Sequence, residues 1–216
     1  MSVSRTVVVG DLHGCYDELV ALLGRVGLGE SDRLVCVGDL IAKGEKSREV
    51  LELFIRDARF SSVLGNHDRA VLEYWKGERK KKTLKDAQRK VAKRLKEWRE
   101  RYAAYLETLP AYIDLGAHVV VHAGLRPGVA LEEQSLDDLT ALRTLGEDRE
   151  SREGTPWYEV YDGEKTALFG HWPAPEPRRG PRAIGLDTGC VYGFKLTAYV
   201  VETGEFHSVP ALRAYA

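Results

Sequence analysis

Apolar residues in the first third of the chain alternate between short runs and stretches with helical spacing. Short apolar runs at Thr6 to Val9, Arg33 to Val37 and Phe60 to Leu64 predict buried strands. Between them, Tyr16 to Val26 and Ser47 to Ala58 carry apolar residues three and four positions apart, which predicts amphipathic helices. Strands and helices that alternate in this way form parallel strands joined by right-handed crossovers, so we expect an α/β fold.

The middle of the chain follows a different pattern. A third helix is expected to follow Asp68. Beyond it, apolar residues recur at steps of three and four: Leu84, Ala87, Val91, Leu95, Trp98, Tyr102 and Leu106. This spacing predicts one long amphipathic helix that ends at Pro110. We interpret residues 69–109 as a helical insertion in a single domain of residues 1–216.

Two strand pairs are predicted in the second half. Tyr112 to Leu115 and His118 to His122 flank Gly-Ala, and Lys195 to Glu202 and Glu205 to Val209 flank Thr-Gly. Both pairs have the pattern of a hairpin. We therefore expect the second half to form antiparallel sheet.

Charge changes this picture only locally. The formal net charge is −1, which predicts no general affinity for nucleic acid, but Lys76 to Arg101 contains 13 Lys/Arg and 4 Asp/Glu, a net of +9. Two interpretations stay open: a basic segment that overhangs a site and attracts a polyphosphate chain, or a solvated helix face.

The apolar and cysteine content indicates a cytoplasmic globular protein. Hydrophobic residues make up 44% and charged residues 30%. The three cysteines, Cys15, Cys36 and Cys190, form no metal-binding or redox motif, so we expect them to be reduced. Thr6 to Val9, which follows Met1 to Arg5, is too short for a signal-peptide core, and no segment predicts a membrane span. The sequence carries no signal for an oligomeric state.

Five segments share a design in which a metal-binding type of residue lies beside glycine at a strand end. They are Gly10-Asp11-Leu12-His13-Gly14, Gly38-Asp39-Leu40-Ile41-Ala42-Lys43-Gly44, Gly65-Asn66-His67-Asp68, His122-Ala123-Gly124 and Gly170-His171-Trp172. Each alone is typical of a cap or a turn. Together they predict a metal site, because ligands bind beyond the carboxyl ends of parallel strands.

Mixed aspartate, histidine and asparagine ligands suit divalent ions, most of all Mn²⁺, with Fe, Zn, Co or Mg as alternatives. Two ions roughly 3.5–4 Å apart can share a carboxylate and a hydroxide that attacks phosphorus. Such chemistry needs no side-chain nucleophile, which agrees with the absence of a nucleophile elbow and of a phosphate-binding P-loop from the sequence.

These segments, with Leu186-Asp187-Thr188-Gly189-Cys190, resemble the calcineurin-like metallophosphoesterases. Within the phosphoprotein phosphatase branch they are most similar to bacterial symmetrical diadenosine tetraphosphate hydrolases. The resemblance implies a four-layer α/β/β/α sandwich with two metal ions. It implies the following metal ligands: Asp11 and His13 for one ion, Asp39 as the bridge, and Asn66, His122 and His171 for the second.

The resemblance also implies that His67 is the general acid, although a role as a hydrogen-bonding neighbour stays open. Lys43 stands where protein phosphatases have a phosphate-binding arginine, preceded by Ala42 in place of an aspartate. Arg143 is the candidate second phosphate ligand and Arg126 its competitor. Tyr192 is expected either to stack a base or to pack in the core, and Asp187 is interpreted as structural.

The predicted function is hydrolysis of a dinucleoside polyphosphate, with diadenosine tetraphosphate cut to two ADP as the expected reaction. Two alternatives stay open: a phosphoprotein phosphatase acting on Ser/Thr or Tyr phosphate, and an enzyme that acts on RNA 5′ ends or caps. A sensor that binds nucleotide without turnover is the hypothesis from another class. It would require a damaged ligand set, and all six ligand types are present.

Overall fold

The first sheet has five strands in the order β10-β9-β1-β2-β3. Its strands are β1 (Thr6–Val9), β2 (Arg33–Cys36), β3 (Phe60–Ser62), β9 (Lys195–Val200) and β10 (Phe206–Pro210). Strands β1, β2 and β3 are parallel, as predicted, and the β9–β10 hairpin adds to the free edge of β1 in antiparallel register. The computed structural model describes residues 4–216, so the start of the N-terminal segment considered for a signal peptide lies outside the described residues.

The second sheet has the order β4-β5-β6-β8-β7. Its strands are β4 (Tyr112–Asp114), β5 (His118–Val121), β6 (Thr166–Phe169), β7 (Arg178–Gly180) and β8 (Ala183–Gly185). The predicted β4–β5 hairpin is confirmed. The expectation of antiparallel sheet in the second half is confirmed for β4–β5, β7–β8 and β9–β10, and it is wrong for β5, β6 and β8, which run parallel to one another.

The helices lie mainly in the connections between strands. They are α1 (Tyr16–Val26), α2 (Ser47–Arg56), α3 (Asn66–Trp75), α4 (Asp86–Arg94), α5 (Arg99–Glu107), α6 (Leu136–Ala141) and α7 (Trp157–Val160), with 3₁₀ turns at Lys81–Thr83, Lys96–Trp98 and Leu131–Glu133. The short α6 and α7 occupy the long connection from β5 to β6. Their few residues give too little periodicity to reveal that this connection is a crossover.

Alternation along the strands places the two sheets face to face. Val7 and Val9 of β1 belong to the core cluster under α1 and α2, whereas Val8 points into a cluster between the sheets. On the second sheet, Val120 faces the same inter-sheet cluster and Val119 faces a cluster around Trp157 of α7. Because side chains alternate across a strand, this pattern gives four layers, α/β/β/α, as the resemblance implies.

The long helix predicted through the basic segment is wrong. The segment contains three breaks. Gly77, in the left-handed conformation, follows the end of α3, and the Gln88 side chain accepts a hydrogen bond from the Lys85 amide at the start of α4. A 3₁₀ turn then separates α4 from α5. A 3₁₀ turn advances three residues, so apolar spacing of three and four does not distinguish it from an α-helix. The bend allows both α4 and α5 to pack against α3.

None of the helices within residues 4–216 has the length and apolar character needed to cross a bilayer. The carboxyl ends of the parallel strands in both sheets open toward the same edge of the molecule, where the metal-binding types of residue lie.

Candidate active site

The candidate ligands lie in the loops after parallel strands or begin the helix after one. Asp11 follows β1, Asp39 follows β2 and Asn66 begins α3 after β3; His122 follows β5 and His171 follows β6. The two sheets therefore contribute opposite walls of one site. Glycines allow this approach: a Cβ at Gly65 would collide with Asp39, and one at Gly170 with the Asp11 carboxylate.

Backbone strain is concentrated at this site. In residues 4–216, the non-glycine residues with positive φ are His13 (47°), Asp39 (53°), Ala42 (77°), Lys43 (59°) and His171 (66°). Such conformations cost about 1–3 kcal/mol each and persist where the surrounding structure imposes them. All five belong to the glycine-containing segments identified in the sequence, so the conformation of these loops lowers the stability of the fold.

Asp11, His13 and Asp39 form the first of two clusters of candidate ligands. Nε2 of His13 lies 3.9 Å from Oδ2 of Asp11 and 3.4 Å from Oδ2 of Asp39. Nδ1 of His13 lies 3.1 Å from the Ile41 carbonyl. Because a carbonyl only accepts, Nδ1 carries the proton and Nε2 presents its lone pair to the cluster.

Asp39, Asn66, His122 and His171 form the second ligand cluster. Nδ1 of His122 donates to the Val37 carbonyl at 2.9 Å, which leaves its Nε2 as an acceptor. That Nε2 lies 3.0 Å from Oδ1 of Asn66 and 3.6 Å from Oδ1 of Asp39. Nδ1 of His171 lies 3.1 Å from the same Asn66 oxygen.

In the second cluster, the His122–Asn66 contact joins two acceptors. An imidazole lone pair and an amide oxygen at 3.0 Å repel each other unless a cation lies beside both. Asp39 directs Oδ1 to this cluster and Oδ2 to the first, so its carboxylate bridges the two. The residues therefore fit two cations that share Asp39.

The electrostatics agree with cation binding. Burial, followed by the charges of Asp187 and Asp39, raises the pKa of Asp11 well above its usual value. Burial lowers the pKa of His13, His122 and His171, so these imidazoles stay neutral, which is the form that binds metal. Nε2 of His171 is buried and has no hydrogen-bond partner within residues 4–216.

His67 lies beside the first cluster, with its ring centroid 5.1 Å from that of His13. Its backbone amide donates to Oδ1 of Asp39 at 2.8 Å, which fixes the start of α3 against the bridging carboxylate. Burial lowers the pKa of His67 to about 4, and its buried Nδ1 finds no partner in the part of the chain that the structure describes.

Asp68 organises the loop that carries Asp39. Its carboxylate accepts from the amides of Leu40, Ile41 and Gly65 at 3.1, 3.2 and 3.3 Å. Asp68 thus ties the end of β2 to the beginning of α3. With Ala42 at the position where protein phosphatases have aspartate, this carboxylate holds the backbone of the loop rather than the ring of His67.

A cavity of about 550 Å³ opens above both clusters. Its cationic lining residues are Lys43, Lys85, Lys90, Arg94, Arg143 and Arg152, and Asp86, Asp187 and several apolar residues complete the wall. Three of the cations belong to α4 or its preceding residue, so the basic segment does overhang the site. A polyanionic substrate fits this charge distribution.

Lys43 and Tyr192 lie together on the cavity wall. Nζ of Lys43 donates to Nε2 of His13 at 2.7 Å and lies 5.0 Å from the centre of the Tyr192 ring. Tyr192 keeps 37% of its surface exposed, so its ring is part of the cavity wall rather than of the core.

The two candidate arginines occupy different environments. Arg143 lines the cavity, donates to the Glu150 carbonyl at 3.0 Å and has a buried Nε without a partner in residues 4–216. Arg126 instead binds the Asp138 carboxylate through Nε and Nη2 at 2.8 and 3.0 Å, outside the cavity lining. Only Arg143 is therefore available to the site.

Two charged residues of the cavity lining differ from the sequence-based prediction. Arg152 lies in a polar loop with no motif, so no local signal identified it. Asp187 lines the cavity although it was interpreted as structural; burial raises its pKa to about 6, and it accepts from the Gly189 amide at 3.1 Å. Its position after β8 repeats the strand-end design, which was the available signal.

Comparisons with known proteins indicate the family of this chain. Residues 4–201 match the calcineurin-like phosphoesterase family model. The chain is 32% identical to an asymmetrical bis(5′-nucleosyl)-tetraphosphatase of Bacillus subtilis, with 96% of this chain and 95% of that protein covered. It is 33% identical to a symmetrical bis(5′-nucleosyl)-tetraphosphatase of Pseudomonas putida, with 94% and 91% covered.

A crystal structure provisionally described as a diadenosine tetraphosphatase superposes with a TM-score of 0.85 at 36% identity, covering 96% of this chain and 94% of that one. The match over nearly the whole chain, together with the two-sheet fold and the strand-end ligand clusters, identifies the chain as a member of the calcineurin-like phosphoesterases, hydrolases that use a pair of divalent metal ions.

Proposed function

We propose that this protein hydrolyses dinucleoside tetraphosphates, with diadenosine tetraphosphate cut to two ADP as the predicted reaction. The observation that carries the proposal is the pair of acceptor clusters that share Asp39 at the floor of a cavity with basic walls. The names of the similar proteins support the substrate class and divide between symmetrical and asymmetrical cleavage.

The proposed metal ligands are the members of the two clusters. Asp11, His13 and Asp39 would hold one ion, and Asp39, Asn66, His122 and His171 the other. The mixture of carboxylate, imidazole and amide ligands favours Mn²⁺, with Fe, Zn, Co or Mg as alternatives. When bound, such a pair supplies an activated water at neutral pH and neutralises charge on the reacting phosphate.

The remaining site residues act on the substrate. Lys43 and Arg143 are proposed to bind phosphate oxygens, because both cations line the cavity and Arg143 keeps an unpaired buried Nε. Tyr192 offers an exposed flat ring for a base. His67 is proposed to protonate the leaving phosphate oxygen, a role that its place beside the bridging carboxylate supports. Burial lowers the pKa of His67 to about 4, so this role requires the negative charge of the bound phosphate to raise that pKa.

Product analysis tests the proposal. The metal-free protein is incubated with diadenosine tetraphosphate and, in parallel, with a phosphoserine peptide, each with and without Mn²⁺ and then with the alternative metals. Metal-dependent release of ADP alone is expected. ATP plus AMP would keep the substrate class and contradict symmetrical cleavage, whereas turnover of the peptide alone would contradict the proposed function.

The alternatives receive less support. The relatives' names do not favour a phosphoprotein phosphatase or an enzyme acting on RNA 5′ ends. A sensor without turnover would require a damaged site, yet each acceptor needed for two cations lies within the clusters.

A further inference from the structure

A second basic groove lies on the face of α4 that points away from the active-site cavity. The groove has a volume of about 510 Å³. It is formed by the end of α3, the 3₁₀ turn before α4, α4 itself and the turn that follows it. Its lining residues are Tyr74, Trp75, Lys81, Leu84, Arg89, Lys90, Ala92, Lys93, Lys96 and Arg99.

The lining contains six cationic side chains and no carboxylate. Arg89 and Lys90 both pair with Asp86, at 3.6 and 2.8 Å. The other four, Lys81, Lys93, Lys96 and Arg99, are exposed and have no ion-pair partner within residues 4–216. A concentration of unpaired positive charge in a concave surface attracts a polyanion.

Aromatic rings distinguish this groove from an ordinary basic surface. Tyr74 and Trp75 are half-buried at the end of α3, and both pack with one side on the core beneath the first sheet. Leu84 and Ala92 are buried beneath the floor of the groove. Flat rings among lysines and arginines match a chain of planar bases joined by phosphates, because bases stack on rings while phosphates meet the charges.

We propose that this groove binds single-stranded nucleic acid. A duplex keeps its bases stacked inside and offers no face to Tyr74 or Trp75. An acidic peptide would meet the cations but would leave the rings unused, and a membrane surface does not enter a concave groove. Single-stranded nucleic acid uses both the rings and the unpaired cations.

The groove adjoins the active-site cavity, but the binding proposed for it does not depend on the proposed catalytic function. Lys90 lines both the groove and the active-site cavity, so α4 is the wall between them. A strand bound in the groove would pass near the opening of the cavity. Binding itself needs no metal ligand and no phosphoanhydride, so failure of the proposed hydrolysis would leave this inference intact.

Fluorescence anisotropy with a labelled 12-residue oligothymidylate that has a 5′ hydroxyl tests the proposal. The metal-loaded protein is expected to bind it, and binding is expected to weaken about 50-fold between 50 and 200 mM salt if four phosphates are contacted. The duplex of the same length, polyglutamate and phosphatidylserine vesicles serve as competitors. Absence of binding at 50 mM salt, or equal affinity for any competitor, would overturn the proposal.

Matched charge reversals locate the contact. The Lys93→Glu/Lys96→Glu variant changes two exposed groove residues, and the Lys80→Glu/Lys82→Glu variant makes the same change in charge at exposed residues outside the lining. The first pair is expected to weaken binding at least about 10-fold and the second less than about 3-fold. Equal losses would show a general charge effect and contradict a groove.

The ring contribution has its own control. Trp75→Leu is expected to weaken oligothymidylate binding about 10-fold, because stacking of a base on an aromatic ring contributes roughly 1–3 kcal/mol. Trp75→Phe keeps an aromatic face and is expected to retain most of the affinity. If both variants bound like the parent, base stacking on Trp75 would be excluded and the proposal with it.

Discussion

Asp39 joins the two ligand clusters through a single carboxylate. Oδ2 faces His13 at 3.4 Å, and Oδ1 faces His122 at 3.6 Å while it accepts from the His67 amide at 2.8 Å. Its backbone is left-handed, and Gly65 approaches it so closely that a Cβ there would collide with it. At the scale of single residues, this carboxylate is where a small chemical change has the largest expected effect.

Asp39→Asn is expected to lower kcat more than about 100-fold, because an amide replaces a charged group proposed to bind both ions. The amide oxygen still accepts from the His67 amide, so circular dichroism and the cooperativity of unfolding should match those of the parent. Asp114→Asn, an exposed change on the second sheet, is the control and should keep activity. Full metal-dependent activity in Asp39→Asn would show that the assigned site is wrong.

Tyr192 has two candidate partners, the Lys43 ammonium and a substrate base. A cation–π contact contributes about 0.5–1 kcal/mol at an exposed site. Tyr192→Leu is therefore expected to raise KM about 2- to 5-fold even for p-nitrophenyl phosphate, which has no base, whereas Tyr192→Phe should retain the parent value. An increase confined to dinucleotides would mean that the ring contacts the base and does not position Lys43.

At the scale of elements, the position of α4 determines which cations of the basic segment face the active-site cavity. Lys85, Lys90 and Arg94 face the active-site cavity, and the opposite side of α4 faces the second groove. The charge was evident in the sequence, but the bend after α4 determines which cations overhang the site. Attraction of a polyphosphate by these residues should therefore depend on individual positions rather than on net charge alone.

Lys85→Gln is expected to lower kcat/KM for diadenosine tetraphosphate about 3-fold at low ionic strength. The difference from the parent should vanish near 1 M salt, where the Debye length is about 3 Å. Lys82→Gln removes the same charge from the same segment at a position outside the cavity lining. Steady-state rates over a salt series measure both. Equal loss in the two variants would indicate a general field effect.

The beginning of β1 is held by an ion pair that gives the fold a defined response to acid. Asp32 accepts from the Arg5 guanidinium at 2.6 and 3.1 Å and from the Arg5 and Gly29 amides. The bond to Arg5 is the main cause that lowers the pKa of Asp32 to about 2. A lowered pKa stabilises the fold above the ordinary carboxyl pKa, and this stabilisation is lost as pH falls toward 2.

Asp32→Asn is expected to lower the free energy of unfolding by about 2 kcal/mol at pH 7. The difference between variant and parent should shrink as pH falls from 4 to 2, since the parent carboxylate then becomes protonated. Denaturant unfolding of the metal-free protein over that pH range provides the measurement. Asp17→Asn, at an exposed pair with Lys46, is the control. A difference that stayed constant with pH would rule out the ion pair as the cause.

At the scale of the whole molecule, the proposed metal site links the two sheets. Asp11 and Asp39 come from the first sheet, and His122 and His171 from the second. The His171 amide donates to both oxygens of Asp11 at 3.1 and 3.2 Å, which is a direct bond between the sheets at the site. Ions bound there would hold the layers together as well as serve chemistry.

Saturating Mn²⁺ is therefore expected to raise the melting temperature of the metal-free protein by about 10–20 °C. This follows from roughly 2.7 kcal/mol per site at a concentration 100-fold above Kd and about 2–4 °C per kcal/mol for a chain of this size. Differential scanning calorimetry measures the shift. Asp39→Asn should lose at least half of it, while Asp114→Asn should keep it; an equal shift in all three proteins would contradict a site built on Asp39.

The sequence by itself determined the local elements and the strand-end loops. Strands β1 and β2, helix α1 and both predicted hairpins appear as expected, because apolar alternation, helical spacing and glycine act over a few residues. The six candidate metal ligands lie together in the structure because the parallel strands that precede them end at one edge. Their roles as ligands remain a prediction.

Only the tertiary structure decided which of several equivalent residues serve the site. Arg126 and Arg143 are alike in sequence, and Asp138 removes one of them by binding it. The break between α4 and α5 and the parallel β5, β6 and β8 depend on packing between distant segments, which no local pattern encodes. The groove around Trp75 and the position of Arg152 in the cavity wall also depend on the tertiary structure, because both surfaces are formed by elements that are distant in sequence.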